Sequence, residues 1–460
     1  MNIDVRIERD SLGEIPVPRH AYYGAHAARA IDNFPISGMT IGQFPALIRA
    51  LALIKKVAAQ TNAELCHLSP TAAQAIIAAC DEIAAGAFAS EFAVDVFQGG
   101  AGTSTNMNAN EVIANRALEI LGASRGDYKL VHPNNDVNRS QSTNDVYPSA
   151  IRVALLLDSQ HLFKAVDVLS DVFEAKGVEF ANIVKLGRTQ LQDAVPMTLG
   201  QEFMAFANSL REEIRRLHDA SKYLTQINLG GTAIGTGINT DPRYQALVTS
   251  KLANLTGLAL SSAEDLIEAS WDASELVFFS GALKSLALKL SKIANDLRLL
   301  SSGPRSGLGE IVLPAVQAGS SIMPGKINPV IPELVNQVAF QVAGSDLVVT
   351  LAAEAGQLQL NAMEPVMAYN LLQAISLLTN ATTVFATKCA MGIEASVDRC
   401  GQHVRSSSAI ATALVPFVGY DRASELAKQI LNGSNVSDVL SKEPGLTPDA
   451  LKLFISPASR

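Results

Sequence analysis

The chain has 460 residues, of which 48% are hydrophobic and 17% charged, and its formal net charge is −8. This length allows two or three domains, or one elongated domain with a large core, and so apolar a composition predicts that much surface is buried between subunits. The acidic balance and the absence of any run of Lys and Arg argue against nucleic acid as the main partner.

The four cysteines, Cys66, Cys80, Cys389 and Cys400, lie far apart without CxxC spacing, which predicts reduced thiols instead of disulfides or a zinc site. There is no HExxH motif and no dense Asp cluster, so neither a metal nor another cofactor is expected. No signal-peptide pattern and no uncharged apolar run of about 18 residues is found, so we expect a cytoplasmic protein without a membrane partner.

The N-terminal region is predicted to begin with a short hairpin within residues 5–17. Ser69 followed by Pro70 is typical of a helix start, and the helix should end near Gly86. A second helix is predicted over residues 110–121.

Residues 148–300 are predicted to be nearly all long helix, interrupted around 185–196 and at 228–231. The clearest helix carries a heptad seam with alternating spacings of three and four, flanked by further apolar residues, and should be buried on several sides in a bundle. The seam consists of Leu276, Phe279, Leu283, Leu286, Leu290, Ile293, Leu297 and Leu300. Long helices at 331–355 and 364–391 and a small helical domain after Cys400 should follow.

Three polar segments interrupt this helical pattern. Residues 98–108 precede a helix and could face an anion at its positive end, or form a flexible turn with an N-cap. Residues 138–145 contain more small polar groups than one helix cap needs. Residues 187–196 read as a loop between long helices, in which an ion pair of Arg188 with Asp193 is favoured over catalysis. His132, alone in a polar loop, is more often a surface hydrogen-bonding residue than a base.

The segment at 319–329, with sequence GSSIMPGKINP, concentrates chemical groups in a stretch that cannot be regular structure. Its two glycines and two prolines forbid a continuous helix or a central strand. Two adjacent hydroxyls, one ammonium and one amide suit an anionic substrate and the movement of a proton. The spacing is not that of a phosphate-binding P-loop, because five residues separate the glycines and Ile327 follows Lys326.

Together these segments resemble the aspartase/fumarase superfamily. Residues 319–329 match its signature G-S-S-x-M-P-x-K-x-N-P at every fixed position. Residues 98–104, 332–338 and 354–361 are similar to the aspartase branch more than to the class II fumarase branch, which stays the alternative. Gln190 stands where fumarases and some aspartases carry His, so no mechanism that requires a histidine there can operate.

For the fold, the resemblance implies a mostly α subunit of three domains. These would be a mixed, mainly helical domain at 1–141, a central long-helix bundle at 142–397 and a small helical domain at 398–460. The central helices would form a twenty-helix core in a homotetramer, and each active site would combine segments from three subunits.

For function, the resemblance implies reversible anti-elimination of ammonium from L-aspartate to give fumarate through an enediolate. Ser320 would be the base, with Lys326 as the second choice for that role. The remaining roles divide into three groups. Thr103, Ser142, Thr143 and Ser321 would donate to the enediolate, Thr189, Lys326 and Asn328 would hold the α-carboxylate, and Asn144 and Gln190 would orient the amino group. A non-catalytic helical assembly is the alternative from a different class.

Overall fold

The computed structural model describes residues 4–409, 411, 415–434, 438–439 and 441–443, and this part of the chain is mostly helical. The helices are α1 Ala25–Asn33, α2 Pro45–Glu64, α3 Pro70–Ala84, α4 Thr103–Ile120, α5 Thr143–Glu179, α6 Leu199–Lys222, α7 Tyr244–Thr256, α8 Ser274–Leu300, α9 Val330–Glu354, α10 Glu364–Lys388, α11 Val397–Ser406, α12 Val415–Val418 and α13 Tyr420–Leu431.

The strands are short, and each pairs with one other strand in a two-stranded sheet. They are β1 Val5–Asp10 with β2 Gly13–Pro18, β3 Val184–Thr189 with β4 Gln192–Thr198, β5 Gln226–Ile227 with β6 Ser261–Ser262, and β7 Ile311–Val312 with β8 Glu394–Ala395. All pairs are antiparallel except β5 with β6. The N-terminal hairpin predicted from the sequence is therefore confirmed.

Helix boundaries follow local chemistry where caps are present. Ser69 Oγ accepts from the backbone N–H of Ala72 at 3.3 Å and Pro70 occupies the first helical turn, as the sequence predicted. Helix α4 begins at Thr103, seven residues before the predicted start. The first turns of α4 were not predicted because Ser, Thr and Asn have a low propensity for exposed helix. In the fold most of these side chains are buried.

The heptad seam of α8 is confirmed, since all eight of its residues are at most 4% exposed. Other apolar side chains of α8 remain exposed in the single chain, among them Phe278 at 55% and Leu288 at 52%. The prediction of nearly continuous helix over 148–300 is wrong for residues 223–273, where the only longer helix is the 13-residue α7. Glycines at 230, 231, 235 and 237 explain this break, because three of them adopt positive φ.

The chain divides into two compact units. The first consists of residues 1–162, 216–284 and 341–377, and it includes α1 to α4 together with the packed pairs of α2 with α3 and α3 with α4. The second consists of residues 163–215, 285–340 and 378–460, and it includes the β3–β4 hairpin packed against α11. The three-domain division stays a prediction, and part of its C-terminal domain lies outside the described residues.

Among the described residues, one helix is long and apolar enough to cross a membrane, as judged by length and composition alone. It is α9, Val330–Glu354, with a mean hydropathy of 1.3 and 44% of its apolar window buried. A core helix of a globular protein has the same properties, so this observation is weak support for a membrane span.

Candidate active site

The first polar segment folds tightly around the start of α4. Gly102 has φ of +83°, and a Cβ there would lie 2.2 Å from the ring of Tyr147, so only glycine fits. Gln98 Oε1 accepts from both the backbone N–H and the hydroxyl of Thr105, each at 2.9 Å. Thr103 follows directly, half-buried, with its hydroxyl donating to the Gly100 carbonyl at 2.7 Å. The predicted substrate residue Thr103 is thus held on a rigid helix start.

The second polar segment lies beside the same helix in the first unit. Asn106 Nδ2 donates to Thr143 Oγ1 at 3.0 Å and lies 3.2 Å from Asn138 Oδ1, which also accepts from the buried Lys55 ammonium at 2.8 Å. These bonds bring Thr143 next to the helix that starts at Thr103. Two of the predicted segments are therefore joined by hydrogen bonds between buried side chains.

Asp145 fixes the backbone on which Ser142, Thr143 and Asn144 stand. Its buried carboxylate accepts from the N–H groups of Ser142 at 2.9 Å, Gly230 at 2.9 Å and Thr232 at 3.1 Å. Burial raises the pKa of Asp145 to about 6, against these hydrogen bonds and a nearby cation, which lower it. The carboxylate serves as an anchor inside the fold, since all its partners are backbone groups.

Asn144 is less free than the sequence suggested. Its side-chain amide donates to the Ala233 carbonyl at 2.8 Å, and its own carbonyl accepts from Asn228 Nδ2 at 3.0 Å. The glycine-dotted segment at 228–237, which lacks dinucleotide-loop spacing, is therefore a structural partner of the second polar segment. Its role could not be found from the sequence, because the two segments are more than eighty residues apart.

His132 has a structural role in the chain. Its Nδ1 accepts from the backbone N–H groups of Asn134 at 3.0 Å and Asn135 at 3.3 Å, at the start of a π-helical turn, Pro133–Val137. A nitrogen that accepts in this way caps the turn. This geometry agrees with the interpretation of His132 as a hydrogen-bonding residue.

The third polar segment is a β-hairpin, so its description as a loop is wrong. We call β3, the turn at Gln190 and Leu191, and β4 the substrate hairpin, after the substrate contacts that are predicted for Thr189 and Gln190. Both turn residues have positive φ, 53° and 61°, as in the tight turns that match the twist of paired strands. Thr189 and Gln190 are exposed at the tip, where no packing requirement explains them. The turn was missed because it contains neither Asn nor Gly.

The predicted ion pair of Arg188 with Asp193 is also wrong. These two residues face each other in the ladder, but Arg188 Nη2 donates to Glu310 Oε1 at 2.7 Å and Asp193 accepts from Ser407 Oγ at 2.7 Å. The prediction that Arg188 is a structural residue still agrees with the geometry, because its guanidinium forms an ion pair with a buried carboxylate. Neither Glu310 nor Ser407 was singled out by the sequence.

The segment at 319–329 is an irregular loop, as predicted. A Cβ on Gly319 would lie 1.4 Å from the Lys326 carbonyl oxygen, so glycine lets the two ends of the loop close on each other. Ser320 is half-buried and its Oγ accepts from the backbone N–H of Ile322 at 3.2 Å. Ser321 and Lys326 are exposed, and Asn328 is half-buried. The loop therefore presents a serine oxygen in contact with a backbone donor.

The predicted site residues thus fall into two groups, each within one unit. Thr103, Ser142, Thr143 and Asn144 lie in the first unit, where hydrogen bonds join their segments. Thr189, Gln190, Ser320, Ser321, Lys326 and Asn328 lie in the second. Across the described part of the chain, no group of three His, Cys, Asp or Glu residues could hold a metal ion. The expectation that no metal takes part stays a prediction.

The chain is similar to a known protein family and to curated proteins over most of its length. The model of a family described as "Lyase" matches residues 13–344. A curated aspartate ammonia-lyase from Pseudomonas aeruginosa is 55% identical over 98% of this chain and 96% of its own length. The one from Escherichia coli is 51% identical over 98% of this chain and 94% of its own length.

Solved structures are similar over the same extent. A structure described as fumarate lyase:delta crystallin from Brucella melitensis bound to cobalt is 57% identical, with a TM-score of 0.95 and 98% of both chains covered. A class II fumarase from Schistosoma mansoni is 35% identical, with a TM-score of 0.93 and 98% of both chains covered. The fold is therefore shared with both, and the sequence is more similar to the aspartate ammonia-lyases than to this fumarase.

Proposed function

Because this chain belongs to the lyase family, within the aspartase/fumarase superfamily, we propose that it is an aspartate ammonia-lyase, a carbon–nitrogen lyase that interconverts L-aspartate with fumarate and ammonium. The observation that carries the proposal is the identity of 51–55% with curated aspartate ammonia-lyases over 97–98% of the chain. Hydration of fumarate is the less supported alternative, since the class II fumarase from Schistosoma mansoni is only 35% identical.

Ser320 is proposed as the base that removes a proton from the β-carbon of aspartate. An ordinary serine hydroxyl is not ionised near neutral pH, so the loop must favour the alkoxide. The backbone N–H of Ile322, which already donates to Ser320 Oγ at 3.2 Å, supports this role, because a donor to the charged form lowers a pKa. The exposed ammonium of Lys326 in the same loop would add a favourable charge.

Proton removal places a second negative charge on the β-carboxylate of the substrate, giving an enediolate. Thr103, Ser142, Thr143 and Ser321 are proposed to donate hydrogen bonds to it. Removing one such donor typically lowers the rate about 10²- to 10³-fold. Thr143 is supported in this role, because its Oγ1 accepts from Asn106 and its own hydroxyl proton is left for another acceptor. The Thr103 hydroxyl donates to the Gly100 carbonyl, so it would have to turn away from that carbonyl to bind the enediolate.

The other polar side chains are proposed to hold the rest of the substrate. Thr189, Lys326 and Asn328 would bind the α-carboxylate, while Asn144 and Gln190 would orient the amino group. For Asn144 the contact would be made by its side-chain Oδ1, because an ammonium group can only donate and Asn144 Nδ2 already donates to the Ala233 carbonyl. Loss of ammonia from the enediolate then completes the anti-elimination without a cofactor.

We further propose a cytoplasmic homotetramer with active sites shared between subunits. Helix α9 supports this arrangement, because it is strongly apolar yet under half buried in the single chain. Phe340, Leu347 and Leu351 are 60–68% exposed and spaced seven and four residues apart, so they line one face. Such a face is typical of helices that pack against copies of themselves.

A single spectroscopic assay tests the activity. Fumarate absorbs in the ultraviolet, so its appearance is followed after addition of L-aspartate and, separately, of L-malate. Fumarate from aspartate alone is expected. Fumarate from malate alone would establish the fumarase alternative, and no fumarate from either substrate, with a folded oligomer, would indicate a non-catalytic assembly.

A further inference from the structure

We propose that Glu310 is a positioning residue for the substrate hairpin: its buried carboxylate, acting through Arg188, fixes the turn that presents Thr189 and Gln190. The proposal rests on the proposed function, in which the side chains of this turn contact the substrate. It adds a residue that does not itself reach the substrate and that belongs to none of the polar segments.

The backbone of the substrate hairpin is weakest directly below its tip. The strand register shifts between Leu186 and Arg188, where Ala194 and Val195 of β4 lie opposite the single residue Gly187, so β4 carries a bulge in the ladder. Beyond this bulge only two residue pairs remain, Arg188 with Asp193 and Thr189 with Gln192. The turn itself has two non-glycine residues at positive φ, a conformation that persists only where surrounding structure holds it. The tip therefore needs anchors other than the ladder.

Each strand of the hairpin has such an anchor, and the two anchored residues are partners in the ladder. Arg188, on β3, donates to Glu310 Oε1 at 2.7 Å. Its ladder partner Asp193, on β4, accepts from Ser407 Oγ at 2.7 Å, just after α11. The pair of Arg188 with Asp193, one pair away from the turn, is therefore hydrogen-bonded to two other parts of the second unit. Rotation or sliding of the tip would break one of these bonds.

Glu310 is a buried residue that contacts several side chains around the hairpin. Its side chain is 0% exposed, Oε1 also lies 2.7 Å from His403 Nδ1, and Oε2 lies 3.1 Å from Lys185 Nζ. The two neighbouring cations lower the pKa of Glu310 to about 2, against the effect of burial. The carboxylate is therefore ionised at neutral pH.

A buried ion cluster is weak support for a stabilising role, because replacing one with apolar residues is often neutral or favourable. Its location is more informative. Lys185 lies below the bulge and pairs with Glu202 as well, whereas Arg188 lies above it and pairs with Glu310. Glu202 thus holds only the base of the hairpin, whereas Glu310 contacts both the base and the end that carries Thr189.

This difference supplies a matched control. Glu310→Gln should lower kcat/KM for L-aspartate by about 10- to 100-fold, since misplacement of a binding group by about 1 Å has effects of this size. Glu202→Gln, the same chemical change at the base of the hairpin, should stay within about threefold of the wild type. Equal losses in both variants, or full activity in Glu310→Gln, would overturn the proposal.

A double-mutant cycle separates positioning from general destabilisation. If Glu310 acts by placing the tip, then Glu310→Gln should lower kcat/KM by less than about twofold further once Thr189→Ala and Gln190→Ala are both present. Multiplicative losses would show that Glu310 acts elsewhere. Should Glu310→Gln fail to fold, Arg188→Met breaks the same link while leaving Glu310 paired with Lys185, and the same non-additivity with Thr189→Ala plus Gln190→Ala is required of it.

Hydrogen exchange tests the positioning without any substrate. Amides of residues 188–193 should exchange at least about tenfold faster in Glu310→Gln than in the wild type and in Glu202→Gln. Unchanged exchange would refute the anchor. Because this measurement does not use turnover, a wild-type protein that is inactive on aspartate would contradict the proposed function while the anchor is still judged.

Discussion

Glu364, in the first turn of α10, is expected to make the stability of this protein fall as the pH rises. The residue is 6% exposed, and its Oε2 has no hydrogen-bond partner among the described residues. Burial raises its pKa to about 8, although the charge of Arg152 lowers it. The positive end of a helix favours a carboxylate by only about 0.3–1 kcal/mol, less than the several kcal/mol that desolvation costs. Burial therefore dominates.

The size of the effect follows from the two protonation equilibria. The pKa of Glu364 rises from 4.5, the ordinary value, to about 8 on folding. The folded state thus binds the proton more tightly, and the favourable contribution is complete below pH 4.5 and lost as the pH approaches 8. At pH 7 the unfolded chain gains roughly 3 kcal/mol from releasing this proton, and at pH 5 less than about 1 kcal/mol.

Glu364→Gln resembles the protonated side chain and cannot ionise in either state. We expect this variant to be more stable than the wild type by roughly 3 kcal/mol at pH 7 and by less than about 1 kcal/mol at pH 5. Urea unfolding at both pH values measures the difference, at one protomer concentration because assembly contributes to apparent stability. Glu354→Gln, at an exposed position, serves as the control and should change little at either pH. A variant that is less stable at pH 7, or equally stabilised at both pH values, would refute the reasoning.

Three further outcomes are expected. Ser320→Ala should lower kcat at least about 10²-fold with unchanged circular dichroism, and residual activity above a few per cent would contradict the serine base. Gly102→Ala should cost at least about 2 kcal/mol in urea unfolding, because a Cβ would meet a tyrosine ring at 2.2 Å with φ of +83°, and unchanged stability would contradict this packing. Leu347→Glu combined with Leu351→Glu should reduce the particle mass in light scattering, whereas Leu12→Glu, at a side chain 80% exposed, should not; an unchanged mass would place the interface elsewhere.

The long helices could be predicted because their signal is local. The α8 seam repeats at a fixed spacing, and that spacing alone determines which side chains face inward. The start of α4 could not be predicted in the same way. Asn106 and Asn108 disfavour an exposed helix, but each finds a hydrogen-bond acceptor elsewhere in the fold. Tertiary partners thus reversed a local preference.

The prediction of an ion pair between Arg188 and Asp193 was wrong for the same reason, because the true partner of Arg188 is distant in the sequence. From the sequence, the nearest opposite charge is Asp193, five residues away, and a local pair was the natural choice. The fold instead places Glu310 beside the guanidinium from 122 residues further along the chain. No periodicity or motif encodes such a contact, and the substrate hairpin itself lacks the Asn-Gly turn that would have identified it.

The motifs identified residues whose polar atoms are exposed. The residue that only the structure revealed has its polar atoms paired with other side chains. Thr189, Gln190, Ser321 and Lys326 are exposed and available to a ligand, whereas Glu310 is buried with its carboxylate directed at neighbouring side chains. A side chain with free polar atoms on an exposed loop needs an external partner to become ordered. Under the proposed function those partners are the substrate and the neighbouring subunits, so the loop groups alone cannot define the site. Asp145 and Glu310 are buried carboxylates that hold the second polar segment and the substrate hairpin, and under the proposed function assembly would supply the rest of the geometry.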